Sequence, residues 1–507
     1  MKRIFTYILV FLAAATVGSC SLDKYPDTSI NSEEAMQSPS DCYNFLVGLY
    51  SSTKSIYSGV YSYATDFMTD DYHAIKNFGN WDGEFFHYDI TASSSTVATV
   101  WDNYYHYIGN ANFLIAGAKK LIDGGTLSAS DLASVQEYYG EACFLRAMMY
   151  FNLTQYFCND YDKSSAETTL GVPVVTTYAP TGDQSKYPHR GSLKADYDQI
   201  VADLVEAGKY VTRAGAQNSG YVTKDCITAL YARVALTMED YSTAYDKANA
   251  LITAGTYPVM TDAAAYASGW KNDDLKETIW QPLIVDNSDG GSACSYFEHN
   301  TTGTPGDDDP QYLPEDWVLA LYDKTNDIRY DAYFAERAIN KRGNNGNLTL
   351  LIKFPGNPKL NPSTASRYIN MPKVFRISEM YLIAAEAEAN IVGKEQIASD
   401  ILNELRSYRI KGWTKTDYSG TALMSEIRDE RTRELFGEGF RLNDLKRWHM
   451  GFTRSAGQDP DMLMPGNYYI SLTMPADSPL FVWPIPTSEI SANPQMKNEQ
   501  NPGYTLK

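Results

Sequence analysis

Apolar residues recur three and four positions apart in several long stretches of this chain of 507 residues. Within residues 137–157 the spacing is carried by Tyr138, Ala142, Leu145, Met149, Leu153 and Tyr156. A similar stripe follows in residues 226–238. Such spacing places one apolar face along a helix. Further helices are predicted at about 97–122, 192–212, 241–254, 376–392, 395–409 and 419–440. The chain is therefore predicted to be mostly α-helical.

Several of the predicted helices follow one another with short connections. The helix at 226–238 is followed at once by the helix at 241–254, and Gly393 separates the next close pair. Small residues such as Ala384 and Ala385 allow paired helices to approach closely. Pairs of this size resemble degenerate tetratricopeptide-type repeats. An irregular helical domain without repeat ancestry is the alternative interpretation.

The helical pattern is interrupted between about residues 255 and 375, where Gly, Pro, Asn and Asp cluster. Residues 286–314 and 343–366 are predicted to be loops for this reason. We therefore predict one domain over residues 39–507. It combines a helical-repeat scaffold at about 39–254 and 376–448 with a loop-rich, irregular subdomain at about 255–375 and a tail at 449–507. Long loops on a rigid scaffold are a common place for binding sites.

The first twenty residues have the pattern of a secretory signal. Lys2 and Arg3 precede an apolar run from Ile4 to Val17, which is too short to remain as a membrane-spanning helix. Small residues then lead into Cys20, as in the cleavage site of a bacterial lipoprotein. We predict a signal peptide at 1–19, lipidation of Cys20 and a lipidated tether at 20–38. An ordinary cleaved signal is the alternative.

The charge balance restricts the class of partner. The formal net charge is −19, and a surface this acidic argues against nucleic acid, whose phosphates require clustered Lys and Arg. Aromatic residues make up 13% of the chain, with 39 Tyr and 8 Trp. Their flat apolar faces and polar edges suit contact with sugar rings or other proteins. The five cysteines after Cys20 are widely spaced and are predicted to be buried thiols, with one pair at most.

An ordered series of motifs runs through the chain. It includes Gly140-Glu141-Ala142-x-x-Leu145-Arg146-Ala147 and the stretch from Ile377 to Ala387. The strongest motif is Glu430-Arg431-x-Arg433-Glu434-Leu435-Phe436-x-Glu438-Gly439, and Trp483-Pro484-Ile485-Pro486 closes the series. In this order, over nearly the whole chain, the motifs resemble the SusD/RagB family of Bacteroidetes outer-membrane lipoproteins.

The resemblance implies a role as well as a fold. Such proteins are anchored by their lipid to the outer membrane, facing the extracellular side. They bind a glycan or another nutrient and deliver it to a SusC-like TonB-dependent transporter. The resemblance implies no catalysis, and no cofactor is expected. Two other classes remain open from the residues alone: a lipid-anchored scaffold that binds only peptide or protein, and a glycoside hydrolase, whose paired carboxylates need not be close in sequence.

Candidate ligand-binding residues lie in loops. In residues 66–88, Asp70 and Asp71 offer acceptors for sugar hydroxyls, and Trp81, between polar and glycine residues, offers a ring for stacking. The alternative is that Trp81 folds back onto its own loop. The resemblance implies that further aromatic residues complete the ligand surface. The tentative candidates are Tyr296, Phe297 and Trp317, with core packing favoured for Trp317.

Three charged groups have structural interpretations that are favoured over binding. The block from Glu430 to Trp448 mixes arginines with carboxylates three and four positions apart, which predicts an ion-pair network rather than an anion site. The same interpretation is given to Glu141 with Arg146. The run Asp307, Asp308 and Asp309 offers oxygen ligands for calcium but lacks the spacing of an EF-hand loop. A solvated acidic loop is favoured there.

Overall fold

The computed structural model describes residues 35–504, except 58, 287–295, 298–307, 361–368, 456 and 467–470. The predicted signal peptide, Cys20 and most of the tether lie outside the described residues, as do Cys294 and Asp307. Within the described part of the chain, no helix is both long enough and apolar enough to span a bilayer.

Long helices form most of the N-terminal half. The elements in chain order are α1 (Pro39–Ser55), α2 (Val60–Phe67), β1 (Tyr72–Ala74), α3 (Gly83–Phe86), α4 (Ser95–Asp123), α5 (Ala129–Phe157), α6 (Leu193–Tyr210), α7 (Lys224–Thr237) and α8 (Tyr241–Ala254). Side-chain caps fix several helix starts: Ser94, Ser128 and Thr223 each accept a hydrogen bond from the backbone N–H three residues on. Helix α5 packs between α4 and α6, and α7 packs against α8.

The second half begins with short elements and ends with a return to helices. They are α9 (Ala263–Asn272), β2 (Thr278–Trp280), β3 (Tyr312–Pro314), α10 (Asp316–Ala320), α11 (Tyr330–Tyr333), β4 (Phe334–Lys341), β5 (Asn344–Leu351), β6 (Phe375–Arg376), α12 (Ile377–Ala389), α13 (Glu395–Arg409), α14 (Gly420–Leu435), α15 (Arg441–Arg447), β7 (Phe452–Thr453), β8 (Thr473–Met474) and α16 (Thr487–Ala492). The strands form four antiparallel pairs: β1–β3, β2–β6, β4–β5 and β7–β8. Helix α12 packs against α8, α13 and α14, so the distant helical segments form one scaffold. The predicted mostly helical fold is confirmed.

Two local predictions need correction. Residues 343–366 were expected to be a loop, yet β5 pairs with β4 over eight positions from Phe334↔Leu351 to Lys341↔Asn344. The polar residues at the start of β5 show no alternation of apolar and polar side chains that would predict a strand. The strand conformation of β5 comes instead from its pairing with β4. The helix expected to reach residue 440 ends at Leu435, since Gly437 and Gly439 adopt φ values of +73° and +81°.

The core divides into two main apolar regions. The larger one lies among the scaffold helices and contains Trp101, which is 2% exposed, as expected for a core residue. The second lies under the short strands and is rich in aromatic rings, including Tyr72, Phe297 and Tyr312. Four of the cysteines are buried and unpaired, which agrees with their prediction. They are Cys42, Cys143, Cys158 and Cys226.

The charged C-terminal block forms a buried ion-pair network, as predicted. Glu434 accepts hydrogen bonds from Arg329, Arg376 and Arg409 at 2.7–2.9 Å. These arginines hold the pKa of Glu434 well below its usual value despite burial, which opposes the shift. The network joins α13 and α14 to β6, which contains Arg376, and to the start of α11, which Arg329 precedes.

The prediction for Glu141 and Arg146 was wrong in its partners. Glu141 pairs with Arg213 at 3.0 Å, and Arg146 pairs with Asp203 at 2.6 Å. Both remain structural ion pairs, but each connects α5 to a segment farther along the chain rather than to its own next turn.

Candidate functional site

The segment between β1 and α3 has an unusual backbone that presents Trp81 at the surface. Asn77, Gly79, Asn80 and Asp82 have φ values of 62°, 76°, 57° and 50°. Gly, Asn and Asp tolerate this left-handed region better than other residues. Trp81 lies between two such residues and remains 42% exposed, so its indole is displayed from a sharply turned loop.

The ring of Tyr296 flanks that indole. The two ring centroids are 6.1 Å apart and the planes are nearly perpendicular, at 86°. The Tyr296 hydroxyl donates a hydrogen bond to the Asp82 carboxylate, and burial raises the pKa of that hydroxyl above its usual value. The Tyr312 hydroxyl donates to the Trp81 carbonyl at 2.6 Å. An exposed aromatic platform is therefore held by hydrogen bonds from two neighbouring tyrosines.

Arg342 connects three segments beneath this platform. It lies in the turn between β4 and β5 with φ 54°. Its Nη1 donates to the Asn77 carbonyl at 2.8 Å, and its Nη2 donates to the Asp309 carboxylate at 3.0 Å. Asn77 returns a hydrogen bond to the Arg342 carbonyl at 2.7 Å. The hairpin thus holds both the Trp81 loop and the segment before β3.

Arg454 fixes the two ends of the same loop from the interior. It is 1% exposed, and its guanidinium donates to the carbonyls of Phe67, Thr69 and Phe86 at 2.6–2.9 Å. The guanidinium lies 3.8 Å from the centroid of the Phe86 ring. Burial lowers the pKa of Arg454 to about 10.

Asp70, Asp71 and Trp317 form a second group with Arg441. Arg441 bonds the two carboxylate oxygens of Asp70 at 3.1 and 3.2 Å. The Trp317 indole N–H donates to the Asp70 carbonyl at 2.7 Å, and the Arg441 guanidinium lies 5.0 Å from its ring centroid. Burial raises the pKa of Asp71 well above its usual value. In this structure the Asp70 carboxylate is engaged by an arginine.

The β1–β3 ladder separates the two groups. Tyr72 pairs with Pro314 at one end, next to Asp71 and Trp317, while Ala74 pairs with Tyr312 at the other end, toward Trp81. The residues predicted for one ligand surface are therefore divided between an exposed aromatic platform and a half-buried charged group.

Three predicted site residues have different surroundings from those expected. Phe297 is fully buried and stacks on Tyr72 at 5.0 Å, so it belongs to the core and offers no surface to a ligand. Asp309 is engaged by Arg342, and Asp308 is 3% exposed, so neither lies in a solvated acidic loop. Among the described residues, no group of three or more His, Cys, Asp or Glu is arranged to hold a metal ion.

Sequence reasoning missed the residues that position the platform. Arg342 and Arg454 are isolated basic residues in irregular segments, and nothing local marks their partners, which lie 265 and up to 387 positions away. The alternation of Asn, Gly and Asp from Asn77 to Asp82 was the one available signal, because it indicates a chain with several left-handed residues.

The fold and site together define a class: a helical-repeat scaffold that carries a loop-rich second part with an exposed aromatic platform. Two family models match the chain. One is described as the SusD family and matches residues 315–504. The other is described as starch-binding and associating with the outer membrane, and it matches residues 21–236. The chain belongs to the SusD/RagB family.

Individual relatives agree with this assignment. The chain is similar to SusD-like protein P38 of Formosa agariphila, with 23% identity over 88% of this chain and 91% of the relative. Its structure is similar to that of a SusD superfamily protein of Bacteroides thetaiotaomicron, with a TM-score of 0.77, 26% identity, and coverage of 92% of this chain and 100% of the other. A SusD-like carbohydrate-binding protein of Bacteroides vulgatus shares the fold with a TM-score of 0.72 and 20% identity, over 93% of this chain and 99% of that one.

Proposed function

We propose that this protein is a surface lipoprotein of the outer membrane that binds a glycan at the Trp81 platform and delivers it to a SusC-like TonB-dependent transporter. It binds its ligand without breaking it down. The observation that carries the proposal is the exposed Trp81 indole, held beside Tyr296 on a loop fixed by Arg342 and Arg454. Family membership and the family description that mentions starch and the outer membrane support it.

The geometry suits a carbohydrate ligand in particular. An indole face packs against the apolar face of a pyranose, and the perpendicular Tyr296 ring limits how the sugar ring can tilt. Lys76, Asn77 and Asn80 are exposed in the same loop and supply donors and acceptors for hydroxyls. Such a surface with few contacts gives a modest affinity, on the order of micromolar to millimolar.

The group formed by Asp70, Asp71, Trp317 and Arg441 stabilises the platform in this proposal. Asp70 and Trp317 are joined through Arg441, so we place them as a support for the start of the Trp81 loop rather than as direct ligand contacts. Asp71 lies buried behind them. Lipidation of Cys20 would keep the platform at the membrane surface, close to a transporter.

Affinity electrophoresis of the mature chain through gels that contain plant, host and microbial polysaccharides tests glycan binding. One polysaccharide is expected to retard the protein, and Trp81→Ala is expected to abolish the retardation. Tyr178→Ala is the matched control. Tyr178 is an aromatic residue about as exposed as Trp81, at 44%, but its ring packs on Phe113 of α4. Retardation that persists in Trp81→Ala would place the site elsewhere, and no retardation by any glycan would favour a peptide ligand or a protein scaffold.

Labelling and co-purification test anchoring and delivery. Metabolic labelling with a palmitate analogue is expected to mark the wild-type chain and not Cys20→Ala. Affinity purification of the lipidated protein from its own membranes is expected to recover a TonB-dependent transporter. A labelled chain that purifies without such a transporter would contradict the delivery step and leave glycan binding to the gel experiment.

A further inference from the structure

A crevice separate from the Trp81 platform lies between the two halves of the scaffold. It is bordered by the residues that follow α1 and by α2, α5 and α7 on one side, and by the residues before β6 and by α12, α14 and α15 on the other. It contains about 880 Å³ of empty space, including its open mouth. The Trp81 loop contributes no residue to its described lining.

The walls of the crevice combine aromatic rings with amide groups. Tyr57, Tyr61 and Phe440 are half-buried and line it together with Asn152, Gln155 and Asn443. Rings beside amides suit a ligand that has apolar ring faces and several hydroxyl groups. Aliphatic side chains contribute less of the lining, and this argues against a lipid.

Arg431 supplies an unsatisfied donor to this lining. Its side chain is 4% exposed, and Nε and Nη2 bond Asp444 at 2.9 and 3.0 Å. Its Nη1 has no hydrogen-bond partner among the described residues, and neither does the Asn443 Oδ1. A buried donor without a partner is costly, so an acceptor at this point is strongly favoured.

The surrounding charges favour an anionic acceptor. Asp444 is shared, since Arg447 also donates to it at 2.8 and 3.0 Å while bonding Glu386. Arg233 is engaged by Glu379 at 2.7 Å. The cationic side chains that line the crevice outnumber its carboxylates by one: Arg233, Lys373, Arg431 and Arg447 against Glu379, Glu438 and Asp444. A carboxylate also makes a stronger hydrogen bond with a guanidinium than a neutral oxygen does.

We propose that this crevice is a second ligand site, which binds a small polyhydroxylated carboxylate of the uronic-acid type. The carboxylate contacts Arg431 Nη1, a hydroxyl donates to Asn443 Oδ1, and the sugar ring lies among Tyr57, Tyr61 and Phe440. Binding here does not require the Trp81 platform, so the two sites can be tested independently.

Isothermal titration of the mature chain with D-galacturonate and D-galactose tests the proposal. Galacturonate is expected to bind at least tenfold more tightly than galactose. Arg431→Met is expected to abolish that difference. Because this variant also disturbs the pair with Asp444, two further variants leave every ion pair in place. Ser62→Phe places a bulky ring in the lining, and Asn443→Leu removes the acceptor. Both are expected to weaken galacturonate binding at least tenfold.

Tyr178→Ala serves as the control and is expected to bind galacturonate as the wild type does, because Tyr178 is exposed and lines neither site. No binding of either sugar would overturn the proposal. The partner of Arg431 Nη1 would then be a bound water molecule. Equal binding of the two sugars would overturn the role of the carboxylate. Galacturonate binding that is lost in Trp81→Ala and kept in Ser62→Phe would overturn the location.

Discussion

Asp309 holds the guanidinium of Arg342 through two nitrogens, Nε at 2.8 Å and Nη2 at 3.0 Å. Because the same guanidinium also bonds the Asn77 carbonyl, this pair connects the segment before β3 to the loop that displays Trp81. Both side chains are about a quarter exposed, so the pair adds little to global stability. Its main effect is to keep the Trp81 loop in one conformation.

Arg342→Met is therefore expected to affect binding more than folding. The free energy of unfolding should fall by about 1 kcal/mol or less, as for other partly exposed ion pairs. Retardation by the polysaccharide should weaken by about three- to tenfold, because a less ordered loop loses more conformational entropy when it binds. Affinity electrophoresis and urea denaturation measure the two effects. Lys120→Met, exposed on α4, is the control, and unchanged retardation in Arg342→Met would contradict the positioning role.

Arg454→Met, in contrast, is expected to affect folding more than binding. The change leaves the carbonyls of Phe67, Thr69 and Phe86 buried without their donor. The expected loss is about 3–5 kcal/mol of unfolding free energy, measured by urea denaturation. Lys224→Met, exposed at the start of α7, is the control. A loss below about 1 kcal/mol would show that other groups hold the ends of the loop.

Helices were predictable from the sequence because their signal is local. The helix predicted at 241–254 coincides with α8, and the one at 395–409 coincides with α13, since the apolar spacing lies in each segment itself and a glycine, Gly255 or Gly393, lies close to one end. The β4–β5 hairpin was missed because β5 starts with polar residues and its strand conformation is set by β4.

The candidate site was predictable only in part, for the same reason. Trp81 was identified from its Asn, Gly and Asp neighbours, which determine a left-handed backbone locally. The surroundings of Asp70 were not predictable, because its partner Arg441 lies 371 positions away. Adjacent Tyr296 and Phe297 have the same type of side chain, and only the packed fold separates the half-buried ring from the buried one.

Substitutions of Tyr296 and Phe297 are expected to have different effects on stability and on glycan binding. Phe297 stacks on Tyr72 and meets the Tyr63 ring at 5.1 Å, so Phe297→Ala should cost about 3–5 kcal/mol of stability. Tyr296→Phe removes only the hydroxyl bonded to Asp82, so stability should change by about 1 kcal/mol while glycan retention weakens. Urea denaturation and affinity electrophoresis separate the two effects. A stable Phe297→Ala protein that no longer binds glycan would show that Phe297 contacts the ligand.

Stability is also expected to depend on pH through Asp196, which lies in α6. Its Oδ2 accepts a hydrogen bond from the Val172 N–H at 2.7 Å, while Oδ1 is buried without a partner. Burial raises the pKa of Asp196 from 3.8 to about 8. Between these values the folded chain keeps a proton that the unfolded chain releases. The contribution of Asp196 to stability therefore falls as pH rises, by up to about 1.4 kcal/mol per pH unit.

Asp196→Asn removes this titration and preserves the acceptor for Val172. The difference in unfolding free energy between variant and wild type is expected to shift in favour of the variant by about 2 kcal/mol or more from pH 5.0 to pH 7.5. Urea denaturation at the two values measures it. This range avoids acid, where Glu434 and Glu438 act in the opposite direction: their pKa values are lowered by the arginines, so their contribution is lost below about pH 4.5.

Asp198→Asn is the matched control for this measurement. Asp198 lies on the same helix, its side chain is 57% exposed, and its partner Lys194 is also on the surface. The same substitution there should give equal differences at both pH values. If Asp196→Asn shows no shift relative to this control, the Asp196 carboxylate is ionised in the folded protein. The unpartnered Oδ1 must then be satisfied by bound water, because an ionised buried carboxylate without hydrogen bonds would be too costly to retain.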